Sequence, residues 1–314
     1  CALCYLINVE KKSGVKLISH EVSHYTRLCE RRFNTIRSIY QHHVKGSIFT
    51  DKSFRDYFSK FVDLSNTHVK LVPRGFAFDG KRISEPKNTP SGTIRIGFLG
   101  TLIPTKGFGL VLSALRVLEE SGNFELDIYA SHADGVYLDA ISELETKHPG
   151  RIRFHGAYDI GDFPRIAQEI DIAIIPSYFE TYNRVARELL YFGVPLITTD
   201  FFGSSIVVHN VNGLKVKVGD HAALAEAIRS IITNPQLVER LSTGAVHTAI
   251  PSLEDEIDGM LAFYDELKGI DNFISTMEQA YALSDYDAKT PPSTRENQII
   301  EQVSREPYAA HAFH

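Results

Sequence analysis

Cysteine is scarce in this chain, with three in 314 residues. So small and odd a number builds no disulfide framework, and a reducing compartment is the default. Basic charge is not in excess either. Lys+Arg is 33 against Asp+Glu 39, a formal net charge of −6, which argues against a globally basic nucleic-acid binder. No apolar stretch approaches the ~18 residues of a membrane-spanning helix. There is no internal repeat. The first residue is Cys1 rather than Met, with no signal peptide ahead of it, and the chain reads as if cut from a longer one. What remains is the ordinary globular balance of 43% apolar and 23% charged residues. The length suits about two domains of ~100–200 residues. Charge is unevenly spread: residues 1–90 carry 16 basic and 8 acidic side chains, net +8, and the rest of the chain carries −14. Two bodies facing different partners would give this split, and so would a chance distribution of solvated charges.

Between residues 94 and 235, short β-branched runs alternate with segments of helical period. Strands are predicted at 94–99, 126–130, 151–155, 170–175 and 195–198, with shorter strand-like pieces at Ile206–Val208 and Gly213–Val216. Helices are predicted at about 108–120, 135–147, 163–168 and 184–192, then at 221–233, 235–247 and 253–268, the last with Ile257, Leu261 and Tyr264 on one face. This alternation predicts an α/β fold with a parallel sheet covered by helices on both faces. Ligands of such sheets sit beyond the carboxyl ends of the strands, so the loops starting at Gly100, Gly156, Pro176 and Thr199 are expected to line a site. Nearer the amino end, strands are expected at 15–18, 46–49 and 68–72, with helix at 51–62. Residues 79–92 read as a linker and those after 269 as a polar tail.

Two segments carry chemistry. In the first, Pro176 to Pro195, Glu180 falls in the loop after a strand and Glu188 within the next helix, eight positions on. The helix start near Arg184–Ala186 offers free N–H groups and a positive dipole end suited to a diphosphate. On spacing alone, an ordinary loop glutamate and a solvated helix glutamate are the plainer explanation. In the second, Gly97-Phe-Leu-Gly100-Thr101-Leu-Ile-Pro104-Thr-Lys106-Gly107 ends a strand and opens a helix. Gly100 permits close backbone approach and Lys106 reaches a phosphate as a point charge. Neither the dinucleotide fingerprint nor the P-loop pattern is present.

Together with Gly193-Val-Pro195, Thr199-Asp-Phe-Phe-Gly203 and Asn212-Gly213-Leu214, these segments resemble the retaining nucleotide-sugar glycosyltransferases of family 4, which have the GT-B fold. The resemblance spans about 94–268. It implies two Rossmann-like domains facing each other across a cleft, the second binding the donor and the first the acceptor. It assigns Glu180 to the donor sugar hydroxyls, Glu188 to the ribose, and Lys106 with Gly100 and Thr101 to the diphosphate. Tyr182, Asn183, Arg184, Val185 and Ala186 would cradle phosphate and donor, and Gly156, Ala157 and Tyr158 would lie near the base. A weaker match places His20, at the end of Val15-Lys-Leu-Ile-Ser-His20-Glu21, across the cleft near the transferred sugar. Ile48 to Ser53 and Val72-Pro-Arg-Gly75 match the end of the family's first domain.

The chain departs from the family pattern in places. Thr101 stands where Arg is frequent, which leaves Arg184 or Arg187 to compensate; Asn183 stands where Gly is usual, and Ile206 where Glu is common. The first half of the amino-terminal domain has no counterpart. The division expected is therefore 1–85 as a partial acceptor-side domain, 86–252 as the donor domain, 253–270 as a helix returning toward the first domain, and 271–314 as tail or linker.

The implied reaction moves a sugar from a UDP- or GDP-sugar to a saccharide or lipid-linked acceptor in polysaccharide, lipopolysaccharide or glycolipid assembly. It has no cofactor, metal or nucleic-acid partner, and it takes place in the cytoplasm or at the inner face of the membrane. Alternatives are a truncated or degenerate module that binds the sugar nucleotide without turnover, and a sugar-nucleotide epimerase. Cys1, Cys4, Cys29, His20 and His24 are irregularly spaced for zinc, and free or buried thiols explain them better. Phe201-Phe202 reads as packing near the cleft more than as a base-stacking platform, and Asp200, which could pass for a catalytic acid, suits a loop-turn role equally well. Arg27, Arg31, Arg32 and Arg37 suit either a solvated face or anionic lipid.

Overall fold

The computed structural model describes residues 17–21, 37, 40, 44–76, 82, 85–118, 123–133 and 135–268, with backbone only at 17–21 and 131–133. Two parallel sheets are present. The smaller has the order β1 (Leu17–Glu21), β2 (Val44–Phe49), β3 (His68–Leu71). Helix α1 (Lys52–Phe58) follows β2, capped by Asp51, whose carboxylate accepts from the Ser53 amide at 2.8 Å. An N-cap carboxylate of this kind takes one of the orphan donors of the first turn. Phe49, Phe54, Phe58, Tyr40 and Val62 pack into one core around this helix.

The larger sheet has six strands in the order β6-β5-β4-β7-β8-β9. In chain order these are β4 (Ile94–Leu102), β5 (Phe124–Ala133), β6 (Ile152–Gly156), β7 (Ile172–Ile175), β8 (Leu196–Thr199) and β9 (Gly213–Val216). Every pair is parallel. All residues of β7 and β8 are buried, as a parallel sheet covered on both faces requires. One face is covered by α2 (Phe108–Leu118), α3 (Gly135–Lys147) and α6 (His221–Thr233), with Leu237, Val238 and Leu241 of α7 (Gln236–Val246) joining the same core. The other face holds α4 (Phe163–Glu169) and α5 (Arg184–Tyr191), with Ala245 of α7.

The chain runs outward from β4 through β5 to β6, then returns to place β7 on β4's other side. The carboxyl ends of β4 and β7 therefore form a topological switch point, where loops diverge and leave a crevice.

The last helix, α8 (Leu253–Lys268), leaves the large sheet and packs on the small one. Phe263 and Leu267 are buried against Ile48 and Val72. Of the apolar stripe expected at Ile257, Leu261 and Tyr264, Tyr264 packs against the small sheet, whereas Ile257 and Leu261 are 46% and 55% exposed. The stripe of Met260, Phe263 and Leu267 faces the sheet instead.

Two further expectations are corrected. Ile206–Val208 is not a strand, since Phe202–Ile206 forms a 3-10 turn. Ile170 is not a strand residue either: it is the buried C-cap of α4, and β7 begins at Ile172. Cys1, Cys4, His24, Cys29, Arg27, Arg31, Arg32, most of the segment between β1 and β2, and the tail after 269 lie outside the described residues.

Candidate functional site

The loops after β4 and β7 meet backbone to backbone. After β4 the chain makes a 3-10 turn, Pro104–Lys106, and closes it on Gly107 with φ 74°. A Cβ on Gly107 would stand 1.9 Å from the Pro176 carbonyl oxygen, so only glycine allows both the left-handed turn and the contact. Two residues further along the opposite loop, the Tyr178 amide donates to the Thr105 carbonyl at 2.9 Å.

This seam brings Lys106 to Glu180, 74 residues away, and their side chains form a direct ion pair. The same carboxylate oxygen accepts from the Ser177 hydroxyl at 3.1 Å and the Asn183 amide at 3.3 Å. Glu180 is thus a half-buried acceptor with three donors around it, one of them a cation. Gly100 lies upstream in β4 with φ 152°, and a Cβ there would meet nothing within 4 Å. Gly156, at the end of β6, is likewise left-handed, with φ 76°, and faces open space. Thr101 sits where the β4–β5 register shifts.

Helix α5 begins immediately after this loop. Asn183 is its N-cap, and its side chain accepts from the Ala186 amide at 2.8 Å. Part of the anion-binding capacity expected at Arg184–Ala186 is therefore already used by Asn183; the amides of Arg184 and Val185 in the first turn have no intrahelical acceptor. Asn183 keeps φ 42°, a conformation that suits the glycine expected by resemblance.

Glu188 is buried one turn into α5, and Arg184 donates to it at 3.1 Å. Burial pushes its carboxyl above the usual glutamate range, and Arg184 opposes the shift. Tyr158 lies nearby with its edge on Phe163, centroids 5.6 Å apart, its hydroxyl pushed up by burial and by the charge of Glu188.

The two arginines expected to replace a missing phosphate cation are both engaged with protein groups. Arg184 is bound to Glu188 and lies over the Phe76 ring at 5.4 Å. Arg187 is 4% exposed, with its guanidinium 3.5 Å from the Tyr182 ring centroid. It donates to the carbonyls of Asn183 at 3.2 Å and Gly203 at 3.4 Å, and faces Asp51 at 3.8 Å. The Tyr182 side chain also turns away from the Glu180 carboxylate: its hydroxyl donates to the Arg74 carbonyl and its ring lies parallel to Phe76.

His20 is in β1, in register with Ile48. Phe201 is buried in the core, and Phe202 packs on Tyr57 and Phe179. Asp200 accepts from the Val218 amide at 3.0 Å, a turn role. Asn212 is fully engaged, with bonds to Val208, Ile206 and Thr248.

Ser177, Asp51 and Ser205 escaped sequence reading. Asp51 had one visible signal, its place as a capping residue before a helical segment; its contact with Arg187 joins positions far apart in the chain and has no local signature. Among the described residues, no three His, Cys, Asp or Glu side chains gather as a metal would require, and no helix is long and apolar enough to cross a membrane.

The chain is similar to several known glycosyltransferases. A glycogen synthase of Mycobacterium tuberculosis is 31% identical over 158 residues, covering 49% of this chain and 38% of its own length. A D-inositol 3-phosphate glycosyltransferase of Geodermatophilus obscurus is 29% identical over 178 residues, 53% of this chain and 39% of that protein. The chain thus spans well under half the length of these relatives. Among solved structures, Anabaena HepE in complex with UDP and glucose superposes with a TM-score of 0.69 at 17% identity, over 84% of this chain and 75% of HepE. Sucrose-phosphate synthase from Thermosynechococcus elongatus superposes with a TM-score of 0.65 at 21% identity, over 79% of this chain and 64% of its own. The fold is that of the GT-B glycosyltransferases. The profile of the family described as "Glycosyl transferases group 1" matches residues 79–247, more than half of the sequence, and the chain belongs to that family.

Proposed function

We propose that this chain carries the donor site of a retaining, family 4-type glycosyltransferase, moving a sugar from a nucleotide diphosphate sugar to a hydroxyl acceptor. The observation that carries the reading is the Lys106–Glu180 pair at the switch point, with Glu188 buried one helix turn away. In the free protein the two charges satisfy each other. On donor arrival Lys106 turns to the diphosphate and Glu180 to the hydroxyls of the sugar. Both groups are then placed by binding, and the site pre-stores the cation where leaving-group charge develops. Glu188 accepts from the ribose hydroxyls. Gly100 and Gly156 leave room for backbone approach, and the first amides of α5 add their dipole to the diphosphate. The division of labour assigns the donor to the large sheet and the acceptor to the small one, with His20 near the transferred sugar.

As the glycosidic bond breaks, the ring gains oxocarbenium character, and Glu180 holds its orientation. Charge neutralisation is assigned to Lys106 and the helix amides, and no metal or cofactor is invoked. The UDP bound in HepE makes a UDP-sugar the first donor to test. The capsular polysaccharide biosynthesis glycosyltransferase CapM of Staphylococcus aureus, 24% identical over 180 residues, makes a saccharide the first acceptor to test.

In a protein assayed with its matched donor and acceptor, Glu180→Ala and Lys106→Ala are each expected to lower kcat by about 10²-fold or more, the scale of losing a preorganised charge partner. Unchanged turnover in both variants would sink the assignment.

A second reading rests on one observation. With Thr101 in place of a cation and Arg184 and Arg187 both engaged, Lys106 stands as the phosphate cation of the described site. A module that binds a sugar nucleotide without turning it over fits that poverty of charge. Calorimetry that finds donor binding, beside a turnover assay that finds none, would select it.

A further inference from the structure

We propose that Asp51 and Arg187 form a latch that shapes the Glu180 loop only when the small sheet is seated on the large one. The buried guanidinium of Arg187 ties together the separate backbone pieces of the site. It donates to Asn183 O, at the end of the loop, and to Gly203 O, in the turn after β8. The Gly203 amide in turn donates to Glu180 O at 3.2 Å. A Cβ on Gly203 would stand 2.6 Å from the Tyr182 nitrogen, so these backbones touch. Arg187 thus ties Asn183 to Gly203, and the Gly203 amide holds Glu180 in turn, with the Tyr182 ring stacked beneath the guanidinium.

That cation is supported from the other sheet. Asp51 stands at the carboxyl end of β2, with its side chain 4% exposed. One of its oxygens accepts from Ser53 N and caps α1. The other accepts from the Ser205 hydroxyl and faces Arg187 at 3.8 Å. Ser53 reinforces the contact by donating to Phe202 O. Removing the small sheet would leave Arg187 buried without its counter-charge, which is costly in a low-dielectric interior. The loop would then lose the partner that holds its turn at Asn183. Arg187 contacts Asn183 through its backbone carbonyl and Tyr182 through its ring, and Asp51 contacts Arg187; neither side chain is itself assigned to the donor or acceptor, and both act as positioning residues.

The test uses the whole chain and three variants, Asp51→Asn, Arg187→Met and the double variant, each first shown to unfold cooperatively. Hydrogen exchange of the peptide covering 178–183 reads the latch without any ligand. Each single variant is expected to raise exchange there by about tenfold while β4 and β7 stay protected, and the double variant to add nothing further, as coupled partners do. Unchanged exchange in a folded single variant, or equal loosening across the whole sheet, overturns the proposal.

A binding arm rests on the donor reading. UDP, UDP-glucose, GDP and GDP-mannose are titrated into the wild type, and the best pair into Asp51→Asn. The nucleotide sugar is expected to lose about tenfold more affinity than the free nucleotide, because Glu180 faces the sugar. Equal losses overturn the positioning role. If the wild type binds none of the four, the donor reading fails while the exchange result still decides the latch.

Discussion

Glu188 is the residue where burial and function pull in opposite directions. Its carboxyl sits above the ordinary value of 4.5 because burial disfavours the charge, with Arg184 opposing. A raised acid favours the proton in the folded state. Stability is then highest below pH 4.5 as far as this group is concerned, and falls as pH rises through the folded value. On the proposed reading, a ribose hydroxyl is bound more strongly by the charged form, the better acceptor. Glu188→Gln is therefore expected to raise Tm at pH 7.5, with the gain vanishing near pH 4, while weakening nucleotide binding. In the unsubstituted protein, nucleotide affinity is expected to fall on acidification at a higher pH than an ordinary glutamate would give. Thermal melts and titrations across pH 4–8 check both. A Tm difference that persists unchanged at pH 4 would remove burial of charge as the cause.

At the scale of elements, the seam between the β4 and β7 loops positions the chemistry. Gly107→Ala would force a Cβ into the Pro176 carbonyl at 1.9 Å and strain a left-handed turn. A cost of about 2–3 kcal/mol in denaturant unfolding is expected from such a clash, with Lys106 displaced from Glu180. Much of this architecture could be read beforehand. The helices at Gly135–Lys147 and His221–Thr233 lie where they were expected: Leu224, Ile228 and Ile231 repeat along one buried face of the second, and Ile141 with the half-buried Tyr137 and Leu144 marks the inner side of the first. Elsewhere period was insufficient. On α8, Ile257–Leu261–Tyr264 and Met260–Phe263–Leu267 both satisfy helical spacing, and only the partner sheet decides between them. Ile206–Val208 has the β-branched composition of a strand, yet the Ile206 carbonyl is taken by Asn212 and the Val208 amide by the same side chain. For the site, the loop positions of Lys106 and Glu180 were legible from strand and helix boundaries. The directions of Arg184 and Arg187 were not, since spacing along a helix does not say whether a long side chain reaches outward or folds back onto a carbonyl.

Among the described residues, contacts joining the two sheets include Asp51 on Arg187, Arg74–Phe76 on Tyr182, α8 on β2 and β3, and Tyr57 on Phe202. The third is the most apolar. Phe263 is fully buried, stacks on His68 with centroids 5.5 Å apart, and lies with Leu267 against the Cα of Gly46. Phe263→Ala is expected to cost about 3–5 kcal/mol and to loosen the small sheet before the large one, which two-probe unfolding with reporters in each would detect as separated transitions. Coincident transitions would show instead that the other contacts couple the halves. The placement of α8 also sets an order of events during synthesis. Strands β2 and β3 leave the ribosome ahead of their cover, since the helix that packs on Ile48 and Val72 is translated some 180 residues later. At roughly 5–20 residues per second, those side chains wait on the order of ten to forty seconds for their cover. Through that interval the nascent small sheet is the segment most in need of a chaperone.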